Sequence, residues 1–382
     1  VNDSRVVENL ANAGPRALRR RDAFRPIAAA ALAAAVPLRA AGQPRGPVKP
    51  PLKVGFVYVS PVTDAGWTHQ HDLGRAELVR TLGDRVVATV VEKVGEGPDA
   101  ERVLRDLAAR GHSLVFATSF GYMEPVIRVA AEFPEVAFEH AGGYRTAPNV
   151  ATYDARFYEG RWLGGFAAGR SSRTGVLGYV AAFPIPEVLQ GLNAFALGAR
   201  AANPKATVRV VWTAAWFDPG RERDACAALV TQGADVLTHH TDSSAVAQAA
   251  EARGVRVVGY HSDVSRIAPK AHLASVTHHW GRYYVQRAQA VLDGTWTSTR
   301  SWGGLKDDRV RVDPLAADLS RETVATLRER QAGLAAGRLH PFTGPLRDNT
   351  GRLRLAQGTM PDADLAAMDW LVEGVVGTLP RS

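Results

Sequence analysis

The sequence predicts an α/β fold of two doubly wound parallel-sheet lobes joined by a multi-crossover hinge. Three observations predict it. From Lys53 onward, continuous apolar runs alternate with amphipathic segments of about 10–17 residues, the pattern of parallel strands covered by helices on both faces. The runs fall into two sets, about 54–153 and 174–259, each the size of one doubly wound unit. After Gly259 the chain changes character, as expected of a chain that finishes the second lobe and crosses back to the first.

Val54–Val59 is the first expected strand and Gly66–Leu82 its helix. Arg85–Glu92 is a strand with a β-branched core. Glu96-Gly-Pro-Asp99 opens the next helix, with Pro98 near its start. Ser113–Thr118 is a strand, Met123–Glu132 a helix, Val136–Glu139 a short strand and Asn149–Tyr153 a further extended piece. Glu159–Arg170 is a helix whose small residues (Gly160, Gly164, Ala167, Ala168) suit close packing. Strands at Thr174–Val180, Thr207–Thr213, Ala234–Thr238 and Val255–Gly259 then alternate with helices at Pro186–Ala202, Gly220–Thr231 and Ser243–Arg253. Leu273–Thr277 and Tyr283–Leu292 form one more strand and helix, and a polar tail ends in a helix near Asp362–Val376. The expected division is an export signal and linker over 1–45, a first lobe of 46–153 plus 264–293, and a second lobe and tail of 154–263 plus 294–382.

Composition narrows the function. The 382 residues are 46% hydrophobic, as in globular proteins and unlike disordered ones. Net charge is +8, but residues 1–41 hold seven Arg and three acids, half of that excess. The remainder carries no Lys/Arg run, so the basic stripe expected of a nucleic-acid binder is missing. The single cysteine, Cys226, cannot form an internal disulfide and reads as a small buried residue.

Residues 15–42 read as an export signal. Arg16, Arg19, Arg20, Arg21 and Arg25 form a basic region, Pro26–Leu38 an apolar stretch of 13 residues, and Ala40-Ala41-Gly42 a small-residue cleavage region. The Arg run is similar to a twin-arginine signal, although Phe24 falls one position late, so the general secretory route stays open. No Cys follows the apolar stretch, so no lipid anchor is expected. Residues 43–51 are a Pro-rich linker. A free periplasmic protein follows from these features.

The expected strand-end loops carry a recurring set of aromatic and acidic groups. They read Thr63-Asp64-Ala-Gly-Trp67, Thr118-Ser119-Phe120-Gly-Tyr122, Phe183-Pro-Ile-Pro-Glu187, Trp216-Phe217-Asp218, His239-His240-Thr241-Asp242-Ser243 and Gly259-Tyr260-His261-Ser262-Asp263. Such loops converge on the ligand in doubly wound sheets. The set suits a flat apolar ligand with polar edges, stacked by aromatics and bonded at its rim. Trp67 serves equally as a helix-packing residue, Phe183 as a core plug, and Asp242 or Asp64 as a helix cap. No nucleophile elbow, phosphate-binding loop or dinucleotide turn is present. His69/His71, His239/His240 and His278/His279 lack the i, i+4 spacing of a zinc-enzyme pair. Adjacent histidines on a strand point to opposite faces. No metal, cofactor or catalytic residue is expected.

Thirteen segments in order carry a family resemblance. They include Gly55-Phe-Val-Tyr-Val59, Asp64-Ala-Gly-Trp-Thr68, Ser119-Phe-Gly-Tyr-Met123, Asp154-Ala-Arg-Phe-Tyr-Glu-Gly160, Phe183-Pro-Ile-Pro-Glu-Val188, Trp302-Gly-Gly-Leu-Lys306 and His340-Pro-Phe-Thr-Gly-Pro345. From about Val54 to Gly374 the chain resembles the basic membrane protein family of substrate-binding proteins that serve ABC transporters. The resemblance implies a fold like type I periplasmic binding proteins and a purine ligand in the interlobe cleft. It implies stacking by Trp67, Phe120 and Phe183, and edge contacts near Ser119, Asp242 and Ser262-Asp263. Nucleoside-binding relatives carry an Asp where this chain has Tyr260-His261, and a Lys near His278. These departures favour a free base, adenine-like, over a nucleoside. The expectation is a non-enzymatic, monomeric periplasmic receptor that presents the base to a permease. A nucleoside receptor, a ligand-sensing regulator domain and a base-processing hydrolase are the alternatives. The regulator would need a DNA-binding segment, and the N-terminal 50 residues show no helix-turn-helix pattern.

Overall fold

The computed structural model describes residues 46–380; the expected export signal and the first three residues of the linker lie outside the described residues. β1 (Leu52–Val57) leads through α1 (Trp67–Leu82), β2 (Val86–Val91), α2 (Pro98–Ala109), β3 (Leu114–Ala117), α3 (Met123–Glu132) and β4 (Ala137–Ala141) to β5 (Val150–Ala155). The second half repeats the alternation. It runs through α4 (Phe157–Ser171), β6 (Val176–Ala181), α5 (Pro186–Ala202), β7 (Thr207–Trp212), α6 (Pro219–Thr231), β8 (Val236–His240), α7 (Ala245–Arg253), β9 (Arg256–His261) and β10 (His272–His278). The tail holds α8 (Gly281–Leu292), β11 (Arg300–Gly303), β12 (Val310–Leu315), α9 (Arg321–Ala335), β13 (Leu346–Arg347), β14 (Leu353–Leu355), α10 (Asp362–Ala366) and β15 (Val375–Val376).

Two large sheets result, ordered β11-β5-β4-β3-β1-β2 and β12-β10-β9-β8-β6-β7-β15, and β13 pairs with β14 in a separate two-stranded sheet. The first is parallel throughout, and the second is parallel except where β12 runs against β10. Local chemistry supports the helices. Pro98 and Pro186 begin α2 and α5, where a missing N–H costs nothing. Asp218 caps α6 by accepting from the Arg221 N–H at 2.9 Å. α2 and α3 bury Leu104, Leu107, Val126 and Val129 against one face of the first sheet. The larger core joins α1 and α8, beside the first sheet, to α4 and α5 of the second half. Both sheets belong to one packed unit.

Two parts of the tail differ from the sequence reading. β10, expected within the first lobe, lies in the second sheet between β9 and β12. The chain then returns to pack α8 on α1 and pair β11 with β5 (Arg300↔Thr152), although residues from 294 on were expected with the second lobe. Apolar patterning marks β10 as buried on both faces but does not say whose edge it joins. The chain passes between the sheets at 155–157, 278–281 and 303–310, the multiple crossover that was expected. The helix expected near Asp362–Val376 is a single short α10, and Val375 pairs with Val208 as β15. Side chains of α5 take the backbone groups a helix would have used. Gln190 Nε2 donates to the Leu365 carbonyl and Asn193 Nδ2 to that of Trp370, and Asn193 Oδ1 accepts the Val372 N–H, each at 2.8 Å.

Candidate functional site

In each sheet the strand order reverses beside the first strand of its half, between β1 and β3 and between β6 and β8. Loops leaving such switch points diverge and leave a crevice at the strand carboxyl ends. Here the two crevices face each other across one cavity with about 440 Å³ of free space, open solvent included. Trp67, Ser119 and Phe120 line it from the first sheet. Glu187, Trp216, His240, Asp242 and His261 line it from the second.

Trp67 opens α1 and is half-buried. Its indole Nε1 donates to the Thr118 carbonyl at 2.7 Å, tying the ring to the end of β3. Its ring meets those of His71 (4.4 Å), His261 (5.6 Å) and Trp280 (5.9 Å) edge-on. A ring fixed this way loses little freedom when a ligand stacks on it. Of the other expected stacking residues, Phe120 lines the cavity and touches Tyr144. Phe183 is not in the lining; it packs edge-on against Trp216 at 5.0 Å, and Trp216 forms the second aromatic wall.

Asp242 does not cap its own helix. Its carboxylate crosses to α1 of the opposite half and accepts the Thr68 N–H at 3.0 Å and the Thr68 hydroxyl at 2.7 Å. Gly66, at φ 111°, allows this approach, since a Cβ there would run into the Asp242 carboxylate. Burial pushes the Asp242 carboxyl up to about 7. Ser262 adds a second clasp, accepting from the Gly66 N–H at 2.9 Å and donating to its carbonyl at 3.1 Å. Ser119 donates to Glu96 at 2.6 Å, and Trp216 Nε1 reaches the same Glu96 oxygen at 3.2 Å. Glu96 thereby straps the two sides together at the mouth.

Several expected site residues stand apart from this cavity. Asp64 is exposed and caps nothing, because the N-cap position of α1 is Gly66. Asp263 is exposed and accepts the Ser265 N–H at 2.8 Å. Ser262, Asp263 and His278 line a separate cavity beside α1. His261 holds φ 69°, a left-handed conformation that costs a non-glycine residue about 1–3 kcal/mol. It thereby turns its ring into the lining, where Nδ1 lies 3.4 Å from His278 Nδ1. Burial pushes both imidazoles below the usual histidine range.

Glu187 and His240 are lining residues that the sequence places in the strand-end loops without singling them out as ligand contacts. Glu187 sits in the first turn of α5, and the signal was the Pro-Ile-Pro-Glu loop itself. His240 Nε2 and Glu187 Oε1 are 3.2 Å apart. The N-terminus of α5 favours a carboxylate by roughly 0.3–1 kcal/mol, less than one pKa unit at about 1.36 kcal/mol per unit. Burial outweighs it and pushes Glu187 up to about 8. Beneath, the fully buried Arg161 guanidinium lies 4.0 Å from the Tyr260 ring centre and 4.6 Å from that of Tyr179, a favourable cation–π position.

Cys226 is buried, and burial raises its thiol to about 12, which leaves it inert. Among the described residues, no group of three or more His, Cys, Asp or Glu could hold a metal ion. Among the described residues no Lys or Arg lines the cavity, so no ammonium or guanidinium group there pairs with a phosphate. Two aromatic walls and a few buried polar groups suit a flat, uncharged ligand.

Comparison with known proteins agrees with this architecture. The family model described as Bmp, ABC transporter substrate-binding protein PnrA-like, matches residues 52–332. A purine-binding protein of Brucella abortus is 47% identical over 331 residues, covering 86% of this chain and 94% of its own length. A Haloferax volcanii protein provisionally named as an ABC transporter glucose-binding protein is 34% identical over 329 residues, 86% of this chain and 81% of its own. A solved ABC transporter solute-binding protein from Conexibacter woesei superposes with a TM-score of 0.61 at 25% identity, covering 76% of this chain and 98% of that one.

Proposed function

We infer that this chain, which belongs to the Bmp family of PnrA-like ABC transporter substrate-binding proteins, binds a free purine base of the adenine type between its two sheets. It hands that base to the permease of an ABC importer. Its family and relatives are solute-binding proteins of ABC transporters, not enzymes. The observation that carries the purine reading is the cavity itself. A tethered indole and Trp216 offer flat faces, and uncharged or buried polar groups line the rim. The 47% identical Brucella abortus relative is named a purine-binding protein.

A free base is favoured over a nucleoside by His261 and His278. They stand where the family resemblance places ribose-binding Asp and Lys groups. The two imidazoles meet each other and carry lowered pKa values, so they supply neither the negative nor the positive group. The protein acts as an exported, periplasmic monomer in this reading. No described helix is long and apolar enough to cross a membrane.

Native mass spectrometry of the protein incubated with an equimolar mixture of adenine, guanine, adenosine and glucose tests the assignment. A bound species at the mass of a purine base supports it. A dominant nucleoside adduct would refute the free-base preference, and a glucose adduct alone would refute purine binding.

A further inference from the structure

Most polar side chains in the cavity wall are already committed. Both oxygens of Asp242 accept from Thr68. The Thr241 hydroxyl donates to Glu222 at 2.9 Å, and the Ser119 hydroxyl donates to Glu96. His240 is engaged at both nitrogens, Nδ1 with the Tyr179 hydroxyl at 3.4 Å and Nε2 with Glu187 Oε1. Glu187 differs. Among the described residues its Oε2 has no hydrogen-bond partner, yet the side chain is only 16% exposed and lines the cavity. That oxygen reaches across toward Gly142 of the opposite sheet, where a Cβ would lie 3.7 Å away. A carboxyl oxygen at the cavity face that has no protein partner keeps its hydrogen-bonding capacity for a ligand.

We infer that Glu187, held at Oε1 by His240, reads the hydrogen-bonding edge of the bound base. Its carboxyl forks onto a ring nitrogen and the adjacent exocyclic amino group, as on the 6-amino edge of adenine. This inference rests on the purine reading above and names the residue that gives it specificity. In this reading the Tyr179 hydroxyl donates to His240 Nδ1, so that the imidazole proton sits on Nε2 and is donated to Oε1. The second lone pair of Oε1 accepts from the amino group, and a proton on Oε2 is donated to the ring nitrogen.

The surroundings favour the protonated form. Asp154, on β5, is itself pushed up by burial and by Glu187. Burial pushes His240 down, so it adds no positive charge. Tyr179 and Tyr260 are held neutral by burial. Arg161, on α4, faces those two rings. With Glu187 raised to about 8, adenine binding falls as pH rises through that value, because the ionised carboxyl offers no proton to the ring nitrogen. The fall is about tenfold between pH 7 and pH 9. Asp242, at about 7, titrates at the lower edge of this window and adds no more than about twofold between pH 7 and pH 9.

Calorimetric titration with adenine and with unsubstituted purine, for wild type, Glu187→Gln and Glu187→Ala at pH 7 and pH 9, tests the inference. Gln keeps one donor and one acceptor but does not ionise. Glu187→Gln should therefore bind adenine within about threefold of wild type at pH 7 and lose the pH dependence. Glu187→Ala should weaken adenine about tenfold to a hundredfold and erase the preference for adenine over unsubstituted purine. If Glu187→Ala leaves adenine affinity unchanged, or if Glu187→Gln is as weak as Glu187→Ala, the inference is overturned while the purine reading stands. If wild type binds neither purine, the purine reading falls and this inference with it.

Discussion

Replacing Asp242 with Ala removes a clasp that joins the two halves of the molecule. In the closed arrangement Asp242 satisfies two buried donors of Thr68, which is itself fully buried. One donor is a backbone N–H at the start of α1, a cap worth about 0.5–2 kcal/mol. The other is a hydroxyl, whose orphaning costs about 1–3 kcal/mol. The sum is partly offset, because a carboxyl raised to about 7 is itself poorly solvated where it lies. A net loss of about 2 kcal/mol is expected, or roughly thirtyfold in affinity. The bonds span the cleft, so they count when the two sides close on a ligand. The loss should therefore appear in the adenine Kd measured by calorimetry at pH 6, and less in the urea midpoint of the ligand-free protein. The sign with pH follows from linkage. Closing raises this carboxyl from the ordinary 3.8 to about 7, so closure takes up a proton between those values. Affinity thus falls as pH rises from about 4 to about 7, and the variant loses that slope. An unchanged Kd, with the whole loss in unfolding stability, would refute the clasp.

Other consequences are as concrete. Trp67→Ala should weaken base binding by about 1–3 kcal/mol, roughly fivefold to 150-fold, read by competition binding, and Trp67→Phe should recover most of it. Glu139 is fully buried and accepts from Tyr283, Trp296 and Arg287. Glu139→Ala should cost about 3–5 kcal/mol in urea unfolding, because it leaves Arg287 unpaired at 12% side-chain exposure. Gly165 packs α4 on α5 so closely that a Cβ would strike the Phe195 carbonyl. Gly165→Ala should destabilise by about 1–3 kcal/mol, seen as a lowered melting temperature, although Ala is ordinarily the better helix former.

The layers were legible because burial on both faces writes itself as continuous apolar strands, as in Leu114–Ala117 and Val176–Ala181. The first wall of the cavity was legible too, since Trp67 follows a strand end directly. What stayed hidden depends on contacts between distant segments. Asp242 looks like a cap for α7, and nothing local reveals that it caps α1, 174 positions away. Glu187 looks like an ordinary first-turn acid until His240 and Gly142 are brought beside it. Phe183 and Trp216 sit on similar loops, and packing alone decides which one faces the cavity. α9 was folded into a polar tail because it buries only Thr323, Leu327, Gly333 and Leu334, although Ser320 caps it by accepting the Thr323 N–H at 3.1 Å.

The central claim is that a free purine base fills the cavity behind Trp67. Direct calorimetric titration of the ligand-free protein at pH 7 with adenine, adenosine and glucose in turn tests it most directly. The account predicts saturable adenine binding, adenosine at least about tenfold weaker because His261 and His278 offer ribose no charged partner, and no heat from glucose. Adenosine binding tighter than adenine, or glucose binding in place of both, would contradict it.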